Sequence, residues 1–260
     1  MNRPKISIIT INYNNVSGLE ETILSVKNQT YPNMEYVVVD GMSDDGSDVI
    51  LDHEAESINV LIRETDTGIF NAMNKGIANA TGDYLLFLNS GDVFTSKTVL
   101  NDFINHPNFE GDIIYGDYKF SEGGKVYPDT LTPEYFMRSS LPHQSTLIHN
   151  RVFKIIGGYD ESYKIVGDRE HFLRAYISNK FIFNHIPVAV AMFDLTGRSN
   201  APEFRAQKLE EDHRAFKTHY GLFYDDYVEF FRLKRELSIT KRKTINGIYK
   251  RVIKKIKRLF

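Results

Sequence analysis

The stretch Thr81-Gly82-Asp83-Tyr84-Leu85-Leu86-Phe87-Leu88-Asn89-Ser90-Gly91-Asp92 constrains the fold more than any other, because an unbroken apolar run stops abruptly in a polar knot ending in a carboxylate. Five consecutive apolar residues between turn formers describe a strand buried on both faces, as in a parallel sheet covered by helices on each side. Ligands of open α/β sheets sit at the carboxyl ends of such strands. Asn89, Ser90 and Asp92 then face a cleft with hard oxygen donors that suit Mg²⁺ or Mn²⁺. The same four residues are also favoured turn formers, so the knot alone leaves a site and a plain turn equally open.

The chain before this run alternates in texture. Ile6 to Ile11 reads as a strand, Gly18 to Gln29 as a helix with Leu19, Ile23 and Val26 on one stripe, and Glu35 to Asp40 as a second strand. A short helix over Asp48 to Glu56, a third strand over Ile58 to Arg63 and a helix over Ile69 to Ala80 precede the fourth strand, Tyr84 to Leu88. This rhythm implies parallel pairing through right-handed crossovers. Each strand then ends in polar residues: Asn12-Tyr13-Asn14-Asn15, Asp40-Gly41-Met42-Ser43, Glu64-Thr65-Asp66-Thr67-Gly68 and Asn89-Ser90-Gly91-Asp92. Four such ends on one edge argue for a site. Asp40 is placed to accept hydrogen bonds from a base or ribose, although it could equally cap the turn that follows.

Several functions lack their signatures. No G-x-G-x-x-G follows the first strand and no G-x-x-x-x-G-K-S/T occurs, so the dinucleotide fingerprint and the P-loop are both missing. A diphosphate bound among acids needs another source of positive charge, and a divalent metal at Asp92 would supply it. The chain contains no cysteine, which removes thiolate metal sites and cysteine nucleophiles. The N-terminus reads as a strand rather than a secretory signal and no apolar run approaches a membrane span, so the expected location is cytoplasmic.

At this point the motifs resemble family 2 inverting glycosyltransferases of the GT-A fold. The resemblance rests on Ser7-Ile8-Ile9-Thr10-Ile11-Asn12-Tyr13-Asn14, Gln29-Thr30-Tyr31-Pro32-Asn33-Met34-Glu35, Val38-Val39-Asp40-Gly41-Met42-Ser43-Asp44-Asp45-Gly46-Ser47, Asp66-Thr67-Gly68-Ile69, Asn74-Lys75-Gly76 and Leu88-Asn89-Ser90-Gly91-Asp92, in that order. It covers about the first two hundred residues and implies a bacterial polysaccharide-biosynthesis type. The implied fold is a Rossmann-like, mainly parallel mixed sheet flanked by helices. Thr10, Asn12, Asn14, Asp40, Ser43, Asp66 and Lys75 would then line the nucleotide, with Asp40 on the uracil or ribose, and Asp92 would ligate Mn²⁺ or Mg²⁺ between the phosphates. The usual D-x-D here reads Asn89-x-Gly91 followed by Asp92, which leaves the metal a single protein carboxylate.

The same resemblance extends to the acceptor side. Asn89, Ser90, Gly91, His143, Gln144 and Glu170 would lie near donor and acceptor sugars. Asp168 would be the general base, with Glu170 as runner-up, and a mobile loop containing Gly197, Arg198 and Ser199 would close on the diphosphate. Read without the resemblance, Asp168 stands at an N-cap position, His143 is an ordinary structural histidine, and residues 197–199 are a surface loop. Asp112 to Phe120 and Phe181 to Phe193 read as strands, and residues 120–132 as a loop.

Beyond Ala201 the pattern turns helical, with helices over Pro202 to Tyr220 and Tyr224 to Leu237. We place the domain boundary at 200/201. From Lys234 to Phe260 eleven Lys or Arg stand against one acid, Glu236, a net of +10, so the rest carries −12 of the total of −2. Ile245, Ile248, Tyr249, Val252, Ile253, Ile256, Leu259 and Phe260 form an apolar stripe whose opposite face is basic, the pattern of a helix lying on an anionic membrane surface. An oligomerisation helix is the simpler reading of the same stripe, and an acidic body disfavours nucleic acid as the partner. The expected function is transfer of a hexosyl or N-acetylhexosaminyl group from a nucleotide sugar, a UDP-sugar foremost, to a lipid-linked saccharide at the inner membrane face. The alternative is a non-catalytic scaffold that binds nucleotide sugar or glycan.

Overall fold

The computed structural model describes residues 3–193 and 201–256. Contacts divide the chain into two units, Met1–His213 and Arg214–Phe260. The first begins with strand β1 (Ile6–Asn12), every residue of which is buried. It continues through α1 (Val16–Lys27), β2 (Met34–Asp40), α2 (Ser47–His53), β3 (Val60–Arg63), α3 (Ile69–Asn79) and β4 (Tyr84–Phe87). The strand–helix alternation expected from the sequence is present, with ends displaced by up to three residues.

β4 confirms the argument from the apolar run. Leu85, Leu86 and Phe87 are each fully buried, and each such side chain stabilises the fold by about 1.5–3 kcal/mol. β1 lies parallel to β2 on one side and to β4 on the other, and β3 extends the edge beyond β2. In this register Asn12 stands opposite Asp40 and Asp40 opposite Arg63, so the carboxyl ends of three strands share one edge.

After β4 the sheet becomes mixed. β5 (Val93–Phe94), α4 (Val99–Ile104), β6 (Ile113–Phe120), β7 (Gly123–Lys125), α5 (Pro133–Arg138), β8 (Thr146–His149), α6 (Asn150–Ile156), α7 (Gly167–Ile177) and β9 (Phe183–Met192) follow. The strand order among the described residues is β3-β2-β1-β4-β8-β6-β9-β5, with β7 folded back on β6. Antiparallel β8 inserts between β4 and β6. β7 corrects the reading of residues 120–132 as loop alone: Gly123 and Gly124 pair with Phe120 and Lys119 despite a composition that carries no strand signal. The polar break in β6 is a bulge, where Asp117 turns to accept from the Tyr127 amide and meets the buried His185 ring at 3.0 Å.

The helical end comprises α8 (Arg205–Tyr220), α9 (Tyr224–Lys243) and α10 (Ile245–Ile256). The contact boundary falls within α8, later than the 200/201 expected from composition. Its first half belongs to the sheet unit: Glu211 accepts the backbone N–H groups of Lys164, Ile165 and Val166 at 2.9–3.1 Å, and Asp212 meets Arg169 at 2.7 Å. In the second unit Ile248, Tyr249 and Val252 of α10 remain about half exposed or more. Among the described residues no helix is long and apolar enough to cross a membrane.

Candidate active site

The loops after β1 and β2 are laced together by short polar side chains. Asn12 Nδ2 donates to Asp40 Oδ1 at 2.8 Å, to Ser47 Oγ at 3.0 Å and to Ser43 Oγ at 3.2 Å. Ser43 Oγ in turn donates to Asp40 Oδ1 at 2.6 Å and accepts from the Asn14 amide at 2.9 Å, while Asn14 Oδ1 accepts from the Asp44 amide. Asn14 and Met42 both adopt positive φ, at 51° and 63°, as the two loops bend toward each other. Asp40 is only 3% exposed. These bonds fix its carboxylate beneath the loops, and Asn12, Asn14, Asp40 and Ser43, four of the residues expected around a nucleotide, form one network.

Asp66 reaches the same place from the loop after β3. Its Oδ1 accepts the Gly68 amide at 2.9 Å. A Cβ added at Gly41 would stand 2.6 Å from Asp66 Oδ2 and 3.1 Å from Tyr13 Cδ2, so Gly41 lets a carboxylate and an aromatic ring close around one point. Tyr13, two-thirds exposed, was not among the expected contacts. Its signal was present in the Asn-Tyr-Asn run, since an aromatic at a strand end beside an acid offers a stacking face for a base.

Two of the expected nucleotide contacts stand elsewhere. Thr10 is fully buried, donating to the Leu88 carbonyl at 2.7 Å and accepting from the Tyr36 hydroxyl, and it braces β1 from behind. Lys75 donates to the Thr65 carbonyl at 2.7 Å and pairs with Glu64 at 3.0 Å, so it clamps the loop that carries Asp66.

The knot after β4 is a tight turn. Gly91 adopts φ 101°, a conformation that favours glycine, and its amide donates to Thr22 Oγ1. Ser90 Oγ donates to the Ile11 carbonyl at 3.2 Å. Asp92 is 5% exposed. No cluster of three or more His, Cys, Asp or Glu that could hold a metal occurs among the described residues. Asp92 is the one carboxylate of the knot.

Asn89 leads to the other half of the site. Its Nδ2 lies 3.2 Å from His143 Nε2, and His143 Nδ1 lies 3.2 Å from Asp168 Oδ2. His143 opens the 3-10 turn His143–Ser145 just before β8, where Gln144 is buried beside it. Asp168 is the second residue of α7. The N-cap is Val166, which corrects the reading of Asp168 as the cap: its Oδ1 accepts the adjacent Arg169 amide at 2.8 Å. Burial pushes the Asp168 carboxyl up, but hydrogen bonding from His143, the Arg169 amide and the charge of Lys208 hold it below the usual carboxylate value. Its side chain keeps about a fifth of its surface exposed. It is an ionised, oriented carboxylate open to a ligand, as a general base must be.

The residues flanking Asp168 have structural reasons. A Cβ at Gly167 would stand 2.7 Å from the Phe70 ring, so no larger residue fits there without displacing it. Glu170, the runner-up base, is 4% exposed, and both its oxygens are engaged by Arg174 at 3.0 and 3.1 Å. Arg174 also donates to the carbonyls of Ile156 and Gly158, tying α7 to the end of α6. Arg198 and Ser199 lie outside the described residues.

Comparison with known proteins agrees with this architecture. The sequence pattern of the family described as Glycosyl transferase family 2 matches residues 7–171. An uncharacterized glycosyltransferase of Mycobacterium tuberculosis is 31% identical over 202 residues, covering 75% of this chain and 76% of the relative. A PGL/p-HBAD biosynthesis glycosyltransferase of Mycobacterium bovis is 29% identical over 208 residues, 76% of this chain and 79% of the relative. The S. aureus TarS fragment 1–349 bound to UDP-GlcNAc superposes with a TM-score of 0.64 at 20% identity, over 83% of this chain and 67% of that one. In the longer TarS structure the match spans 36% of that chain. A mannosyltransferase of Pyrobaculum calidifontis, solved with GDP-Man and Mn²⁺, gives 0.63 at 16% identity, over 84% of this chain and 64% of that one. At these identities the structural matches establish the GT-A fold.

Proposed function

The chain belongs to glycosyl transferase family 2, and from that premise we propose that it is an inverting enzyme of cell-surface polysaccharide biosynthesis, taking a hexosyl or N-acetylhexosaminyl group from a UDP-sugar to a hydroxyl of a lipid-linked saccharide. The observation that carries this reading is the line Asn89–His143–Asp168, which joins the knot at the end of β4 to the head of α7. It brings the candidate base to the strand end where the diphosphate is expected. The Mycobacterium bovis relative is a PGL/p-HBAD biosynthesis glycosyltransferase, and TarS has been solved with UDP and with UDP-GlcNAc, which supports the donor class.

Each residue then has a task. Asp40 accepts from the base or ribose, the Tyr13 ring gives the base an aromatic face, and Asp66 closes the pocket across Gly41. Asp92 would hold a divalent cation, as Mn²⁺ accompanies GDP-Man in the Pyrobaculum enzyme, and such an ion would supply positive charge for the departing diphosphate. Asp168 takes the proton of the acceptor hydroxyl as that oxygen bonds to the anomeric carbon. The bond from that carbon to the diphosphate oxygen breaks, its electron pair leaves with the nucleoside diphosphate, and the configuration inverts. One base suffices for a single displacement.

α10 supports a position at a membrane surface. Its exposed Ile248, Tyr249 and Val252 are flanked by Lys250, Arg251 and Lys254, and a cleft of about 630 Å³ between α9 and α10 is lined by Lys234, Lys241, Arg242 and Arg251. Such a face adsorbs to anionic lipid, each basic residue adding about 1 kcal/mol, which suits a lipid-linked acceptor at the inner leaflet.

The test has two arms. Thermal melting against UDP, GDP, dTDP and CMP, each with and without Mn²⁺, should show the largest rise with UDP and metal together, because a ligand that binds only the folded state raises the melting temperature. Asp168→Asn should keep that rise and lose sugar transfer. Full transfer by the variant would refute the assignment of the base, and absence of any nucleotide response would refute the donor class.

A further inference from the structure

The geometry points to His143 as a positioning residue for the base: its imidazole, oriented by Asn89, donates Nδ1–H to Asp168 and aims that carboxylate at the acceptor hydroxyl. This inference rests on the assignment of Asp168 as base and adds how the carboxylate is held.

The argument begins at Asn89. Its Nδ2 faces His143 Nε2 at 3.2 Å, and an amide N–H can only donate, so Nε2 must be the acceptor. The ring proton then sits on Nδ1, which faces Asp168 Oδ2 at 3.2 Å. In this arrangement one buried atom, Asn89 Oδ1, has no partner. Turning the amide over would bury the NH₂ group there instead, leaving two donors unsatisfied in place of one acceptor, which is the costlier arrangement. The observed orientation therefore fixes the tautomer as well as the ring.

The consequence falls on Asp168. Oδ1 is held by the Arg169 amide and Oδ2 by His143 Nδ1, one donor on each oxygen. Two donors from different elements leave the carboxylate no free rotation, and both favour its charged form. The other groups acting on it do not duplicate this role. Lys208 attracts it only through charge, and Asp212, whose carboxyl burial pushes up, is bonded to Arg169. His171 is held down to about 4 by burial, and the Tyr127 and Tyr159 hydroxyls are pushed far up by burial, so none of these three changes charge near neutrality.

The same line explains the Asn-Ser-Gly-Asp knot. A carboxylate at position 89 would accept from Nε2 and draw the proton away from Nδ1, or force a second proton onto the ring. An amide keeps a single proton on the side of Asp168. Asn89 thus serves the base rather than the metal.

His143→Leu removes the donor and keeps a side chain of similar bulk, while His143→Gln returns an N–H. We expect kcat of His143→Leu to fall about tenfold or more with the donor KM unchanged, and the acid limb of kcat/KM to move up by about one pH unit or more; His143→Gln should recover part of both. An unchanged limb in His143→Leu, or equal behaviour of the Leu and Gln variants, overturns the positioning role even if activity falls. Asp168→Asn, run alongside, separates the two readings: if it abolishes transfer while His143→Leu is normal, the base stands and this inference fails; if it transfers normally, both fail. ¹⁵N NMR of the unmodified enzyme needs no variant to fold. Nδ1 should carry its proton across the active pH range, and a pyridine-type Nδ1 overturns the proposal.

Discussion

Glu211→Gln should cost more stability than any typical surface change, and it should do so at the base. The Glu211 carboxylate is 6% exposed. Oε2 accepts the amides of Ile165 and Val166 at 2.9 and 3.1 Å, and Oε1 accepts that of Lys164 at 3.0 Å and Gln207 Nε2 at 3.1 Å. Glutamine keeps one oxygen, which serves Ile165 and Val166 as a neutral acceptor, and turns its NH₂ group against the Lys164 N–H. The charge-assisted bond from Lys164, at about 1.5–3 kcal/mol, is lost, those from Ile165 and Val166 are weakened, and Gln207 turns its amide over to offer an oxygen to the new NH₂ group. The expected destabilisation is about 2–4 kcal/mol, which for a chain of this size lowers the melting temperature by roughly 5–10 °C. Because Val166 is the N-cap of α7 and Asp168 stands two residues on, kcat should fall with little change in nucleotide binding. The assay pairs thermal melting with steady-state kinetics and a UDP thermal shift. A variant that melts within about 1 °C of the parent and turns over normally would show that these three amides find other partners, and the reasoning would fail.

Glu35 predicts acid sensitivity. Burial would raise its carboxyl, but hydrogen bonds from Ser7, the Thr81 amide and hydroxyl, and Lys5 lower it from 4.5 to about 2. A depressed carboxylate contributes stability that is present above pH 4.5 and lost as the pH falls toward 2, here on the order of 3 kcal/mol. Urea midpoints should therefore drop between pH 5 and pH 2.5 more in the parent than in Glu35→Gln; parallel curves would sink the idea. Gly41→Ala should lose most of the UDP-induced thermal shift while the free protein melts within about 2 °C of the parent, since the new Cβ meets Asp66 Oδ2 and the Tyr13 ring rather than the core; an undiminished shift counts against the pocket. Ending the chain after Ser238 should leave the first unit folded and abolish sedimentation with anionic vesicles, whereas ending it at residue 200 should unfold it by removing Glu211 and Asp212. Vesicle binding by the protein ending at Ser238 would refute the role of α10.

The parallel half of the fold was legible because β1, β2 and β4 are buried on both faces and write themselves as apolar runs. β7 was not legible, since Gly123 and Gly124 pair through backbone alone. The boundary at 200/201 followed the change of texture, but texture cannot reveal that Glu211 caps a segment forty-odd residues earlier. The polar ends of the strands stand on one edge because register places them there. The division of labour among them was invisible: Thr10 and Asp40 are both polar residues of buried strands, yet Thr10 binds the Leu88 carbonyl behind β1 while Asp40 joins the network of the two loops.

The acceptor side shows a different limit. Asp168, His143 and Asn89 come from a helix, a 3-10 turn and a strand end, separated by 25 and 54 residues. No periodicity links them, and each alone has an ordinary explanation as a first-turn acid, a structural ring or a turn residue. Only the insertion of β8 between β4 and β6, antiparallel to both, carries the turn at His143 to the carboxyl end of β4. A substitution in the knot therefore cannot be judged from the knot. Asn89 departs from a carboxylate pattern when read along the chain, and across the sheet its amide faces the His143 ring.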